Sequence, residues 1–66
     1  MTRKRYEVQQ ADGSPPKWTR AAGGIYLRAD LAICHAKRLA IAGRSRIEVF
    51  DDTCNRFLKV MIEFRP

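Results

Sequence analysis

The chain is short of most residues that carry chemistry. Its 66 residues include two cysteines, one histidine, one tryptophan and seven carboxylates, against thirteen lysines and arginines. Each shortage removes something. Two cysteines are too few for the disulfide framework of a small secreted domain, which normally carries four or more. Cys34 and Cys54 fall in separate predicted elements and read as free thiols of a reducing compartment, with a Cys34–Cys54 bridge as the alternative. One histidine, with no CxxC, HxxxH or spaced acidic loop, matches no metal-binding motif. Long apolar runs are missing as well. Leu31 to Ala42 is the most apolar region, but it contains His35, Lys37 and Arg38 and is too short and too charged to span a bilayer. No apolar stretch of the kind a secretory signal requires follows the basic Arg3-Lys4-Arg5. The expectation is a soluble, cytoplasmic protein with no cofactor.

Catalytic constellations are equally thin. His35 has Arg38, Leu39 and Leu31 as its helical neighbours, so no carboxylate is placed to orient it. Cys34 precedes it, but adjacent helical residues point about 100° apart and cannot act as a nucleophile–base pair. Asp51 and Asp52 are adjacent in a polar stretch that suits a turn better than general acid/base work. Gly23-Gly24 lacks the GxGxxG or GxxxxGK[ST] frame of a phosphate loop and reads as a bulge or tight connection. The expectation is a non-enzymatic protein with no small-molecule substrate.

What the chain does have is apolar content, positive charge and clear periodicity. Hydrophobic residues make up 45% and the net charge is +6. That fraction suits one globular domain, though a chain this short buries only about 60% of the surface it exposes when unfolded. The charge favours polyanions, anionic membranes or acidic proteins as partners. Met1 to Lys4 reads as a frayed basic tail. Arg5 to Gln10 alternates as a first strand, Ala11 to Pro16 is a turn cluster, and Lys17 to Arg20 is a short second strand. Ile25-Tyr26-Leu27 leads into a helix from Arg28 or Ala29 to Ala42, with Asp30 in its first turn, Lys37 and Arg38 nearer its end, and Gly43 at the C′ position. Ala29, Ala32, Ile33, Ala36, Leu39, Ala40 and Gly43 fall in one apolar stripe. Arg46 to Phe50 is a third strand, Asp51 to Asn55 a loop, and Arg56 to Phe64 a fourth strand.

The order β-β-α-β-β predicts a small two-layer α+β domain spanning residues 1–66. Its mostly antiparallel sheet has three or four strands, with one helix packed on one face. The predicted core is Tyr6, Val8, Trp18, Ile25, Ala32, Ile33, Ala36, Leu39, Ile47, Val49, Leu58, Val60, Ile62 and Phe64. In the last strand, Leu58, Val60, Ile62 and Phe64 alternate with Phe57, Lys59, Met61 and Glu63, so the first set is expected to be buried.

Two functional readings follow. In the first, the protein is an interaction or self-associating module, a homodimer included. Its patch consists of Phe50, Phe57 and Met61 on the sheet, or Ile41, Leu31 and Cys34 on the helix. In the second, Arg3, Lys4, Arg5, Arg44, Arg46 and Lys59 contact the phosphates of a single-stranded nucleic acid while the aromatics stack its bases. Glu7, Glu48 and Glu63 share that face and oppose the second reading. So does the absence of an RNP1 pattern or a GXXG loop.

Overall fold

The computed structural model describes residues 3–66. Five elements follow one another: β1 (Lys4–Asp12), β2 (Lys17–Tyr26), α1 (Ala29–Leu39), β3 (Ser45–Asp51) and β4 (Arg56–Phe64). The strands form one antiparallel sheet in the order β2-β1-β3-β4. The domain is α+β, as the element order implied, and all four strands share the sheet. Arg3 and Lys4 belong to the fold rather than to a tail: the Arg3 carbonyl accepts the Asp52 N–H at 2.8 Å, and Lys4 opens β1. Met1 and Thr2, also assigned to the tail, lie outside the described residues.

The helix packs on β1, β2 and β3 and leaves β4 without a cover. Its sheet-facing positions are Ala32 and Ala36, both fully buried. Small side chains there let the helix lie close to the sheet. Ser45 Oγ donates to the Ala36 carbonyl at 2.6 Å across that contact. The helix ends at Leu39, three residues short of expectation. The chain then tightens, with the Ile41 and Ala42 N–H groups reaching back only three residues to Arg38 and Leu39. Gly43 is not a left-handed C′ residue, since among the described glycines only Gly13 and Gly23 have positive φ.

The second strand is longer than its alternation suggests, because Ala21–Gly24 form an irregularity within it rather than a break. Opposite β1, the register moves from Glu7↔Ile25 to Gln9↔Arg20, leaving four β2 residues facing one. Gly23 sits at φ 67°, and a Cβ on Gly24 would stand 2.8 Å from the carbonyl oxygens of both Ala21 and Val8. Ile25 and Tyr26 are therefore strand residues, not a lead-in to the helix.

The core is smaller than expected and consists of Val8, Ala21, Ala32, Ala36 and Ile47, with Tyr6, Tyr26, Ile33, Leu39, Met61 and Phe64 packed against it. Val49 is buried as predicted. Five assignments need correction. Trp18 pairs with Ala11 on the sheet face away from the helix, where Arg44 and Arg46 cover it. Ile25, Leu58, Val60 and Ile62 are exposed. Ile25 lies opposite Glu7 on the face away from the helix, and the helix, which packs on β1, β2 and β3, does not extend over β4.

Bulges in β4 account for the rest. Ile47 pairs with Ile62 but Glu48 with Val60, which leaves Met61 extra; Val49 pairs with Lys59 but Phe50 with Phe57, which leaves Leu58 extra. Each extra residue breaks the two-residue period. Val60 thus lies opposite Glu48 on the open face, Lys59 lies opposite Val49 on the helix side, and Met61 packs against the core.

Candidate interaction surface

The sheet face opposite the helix is a knit layer of polar contacts. Arg20 is paired with Glu7. Gln9 Nε2 donates to Glu7 at 2.6 Å and to Glu48 at 3.0 Å, while Arg46 Nε donates to Gln9 Oε1 at 2.6 Å. The Arg46 guanidinium lies 4.3 Å from the Trp18 ring centre and that of Arg44 lies 5.4 Å away. Arg44 Nε also donates to Glu63 at 2.9 Å. At the other end of the strands, Arg5 stacks on Phe50 at 4.7 Å and pairs with Asp52 at 2.7 Å. Phe50 meets Phe57 edge to face at 5.1 Å. The cation and aromatic side chains of this face are thus occupied with one another. An aromatic already covered by guanidinium offers less ring to a nucleotide base, and an arginine already paired offers less charge to a phosphate.

Two carboxyls are perturbed by these contacts. The hydrogen bond from Arg44, reinforced by the charges of Arg44, Arg65 and Arg46, holds Glu63 below its ordinary 4.5. Burial pushes the Asp51 carboxyl up, but hydrogen bonds from Thr53 and Cys54 together outweigh it and leave the group below 3.8. The Thr53 N–H to Asp51 Oδ1 bond, at 2.8 Å, is the turn role expected of this aspartate. Both groups stay ionised to a lower pH in the folded chain than in the unfolded one. Their contribution to stability is therefore present above the ordinary values and fades as pH falls through the lower folded ones. Thermal melts should show a midpoint that drops once pH falls below 4.5. Glu63→Gln should make that drop shallower.

The β4 flank differs: it is an edge strand with apolar side chains on both faces, Phe57 and Val60 on the open face and Ile62 on the helix side. Phe57, Leu58, Val60 and Ile62 are 39–46% exposed, on a strand that no helix covers and whose outer edge has no neighbour. Around them stand exposed cations. Lys4, Asp51 and Arg56 form one cross-strand row, and Tyr6, Val49 and Lys59 another. Among the described residues, Lys4, Arg56 and Lys59 make no ion pair.

The residues singled out from the sequence do not form one site. Phe50 and Phe57 touch on the open face, Met61 is half-buried against the core, Cys34 and Leu31 are exposed on the helix, and Ile41 is exposed beyond its end. The cations divide in the same way. Arg44 and Arg46 sit at one end of the sheet, while Arg3, Lys4, Arg5 and Lys59 sit towards the other, with β1 spanning about 20 Å between them. Lys59 is on the helix side and not with Arg5 and Arg46. Leu58, Val60 and Ile62, assigned to the core, belong instead to the exposed flank. Their signal was in the chain: Phe57, Leu58, Val60, Met61 and Ile62 occupy both parities of one strand, so whichever face is buried, apolar side chains remain on the other.

Cys34 and Cys54 are free and exposed. Tyr26 Oη and His35 Nδ1 share a hydrogen bond at 3.0 Å, so the histidine is tied to β2. No group of three or more histidine, cysteine or acidic side chains among the described residues is arranged to hold a metal. No helix among them is long and apolar enough to cross a membrane. No family model matches the chain, and no curated protein or solved structure matches it.

Proposed function

We propose that this protein is a non-enzymatic, cytoplasmic interaction module that docks another protein on the β4 flank. One observation carries the reading: four large apolar side chains stand half-exposed along one edge strand, β4, with Phe57 and Val60 on the open face and Ile62 on a helix side that the helix does not cover. Exposed apolar patches of this kind mark interfaces. A domain below about 70 residues also gains from a partner that adds to its small core. The exposed free thiols support a reducing compartment. The nucleic-acid reading is second, because Trp18 and Phe50 are already stacked with arginines.

Site-specific photo-cross-linking in the native cell tests the docking site. A cross-linker at position 60 should give one defined product, identified by mass spectrometry. The same group at Ile41, which is 83% exposed, should not. Leu58→Ser with Ile62→Ser should abolish the product while shifting the melting temperature by only a few degrees, about 1 kcal/mol. Equal cross-linking at both positions, or none at position 60, would sink the proposal.

A further inference from the structure

The charges around the β4 flank specify the kind of partner. Of the carboxylates nearest the flank, Asp52 pairs with Arg5 and Glu63 is held by Arg44 with Arg65 at 4.0 Å, while Asp51 and Glu48 accept hydrogen bonds from the neutral Thr53 N–H and Gln9 amide. The cations Lys4, Arg56 and Lys59 are exposed and, among the described residues, not ion-paired. The flank therefore presents apolar side chains bordered by three unpaired cations, Lys4, Arg56 and Lys59, against two carboxylates outside any ion pair among the described residues, Asp51 and Glu48, so its border is net positive. A second copy is poorly suited, because symmetric pairing would set these cations against their own twins, on chains that each carry +6.

Resting on the docking reading above, we infer that the occupant of the β4 flank is an acidic peptide segment of another protein, with apolar side chains interleaved among its carboxylates. Lying along the β4 edge, the segment reaches both faces of the strand: its apolar side chains cover Phe57 and Val60 on the open face together with Leu58 and Ile62, and its carboxylates meet Lys4, Arg56 and Lys59 on the helix side. Its length follows from β4, whose nine residues span about 30 Å, the reach of an extended peptide of about nine residues.

The test uses the full chain, labelled for NMR, and four probes. These are a peptide alternating glutamate with leucine and phenylalanine, the same peptide with lysine for glutamate, polyglutamate, and a short oligothymidylate. The acidic apolar peptide should move the amide signals of residues 56–62. Its affinity should fall roughly tenfold in the Arg56→Glu/Lys59→Glu double variant, as an attraction becomes a repulsion. The lysine peptide and polyglutamate should bind at least tenfold more weakly. The inference is overturned if the lysine peptide binds as well, if polyglutamate or oligothymidylate matches the acidic apolar peptide at β4, or if that peptide leaves β4 unmoved. Concentration-dependent β4 shifts with no probe added would overturn it in favour of a homodimer. In each of those cases the cross-linking at position 60 still decides separately whether β4 is a docking site.

Discussion

Ile47→Asp should leave no cooperative thermal transition, whereas Val60→Asp should melt within about 10 °C of the parent. Both positions are β-branched and aliphatic, in neighbouring strands, and both were expected in the core. Ile47 is fully buried between the helix and the sheet, beside Val8 and Ala36. A carboxylate there has no cation and no water, and an unpaired buried charge costs about 4 kcal/mol or more. A domain of this size commands about 3–5 kcal/mol in all. Val60 is 43% exposed opposite Glu48, so an aspartate there keeps its hydration and loses strand propensity and some charge balance, about 1–2 kcal/mol. Circular dichroism melts of the two variants are sufficient. If Val60→Asp unfolds the chain, β4 is core and the proposed docking surface does not exist.

Gly24→Ala should destabilise the domain by about 2–3 kcal/mol, the largest effect expected from adding a single methyl group. The added carbon would lie 2.8 Å from two carbonyl oxygens, Ala21 in the same strand and Val8 in β1. Neither oxygen belongs to a flexible side chain that can step aside, so relief requires moving the strand that carries the most buried valine. Gly43→Ala is the control. Nothing lies within 4 Å of its added carbon and its φ is not positive, so the substitution should stabilise by about 0.4–1 kcal/mol by stiffening the unfolded chain. Urea titrations that rank the two glycines equally would mean that β2 does not press on β1 as described.

The element order and the sheet were legible because they rest on periodicity, which is local. Ile47 and Val49 alternate cleanly and are buried, and Ala32 and Ala36 share a stripe and face the sheet. The β4 flank was misassigned because a bulge is one residue of disagreement between two strands, visible only when both are aligned. Met61 and Leu58 look like ordinary members of an alternating run until Ile47 and Phe50 set the count against them. Trp18 falls on the other face for a related reason: its alternation gives two faces but not which one the helix takes, and two arginines lie over its half-buried ring. The glutamates that appeared to oppose polyanion binding do so by pairing. Glu7 and Glu63 hold Arg20 and Arg44, a cross-strand relation legible once the faces are set.

The strand order also has a kinetic meaning. β1 and β2 form a hairpin, as do β3 and β4, and each can close locally. The β1–β3 seam joins them, and its partners Gln9 and Glu48 are 39 residues apart. Closing a loop of that length costs about 3 kcal/mol of chain entropy before the core contacts form. Val8 and Ile47 meet across this seam, so the deepest burial comes with the contact that is hardest to make. Folding is then gated by the zipping of two ready-made halves. The helix, which rests on both β1 and β3, is the clasp that keeps the seam shut once it has formed.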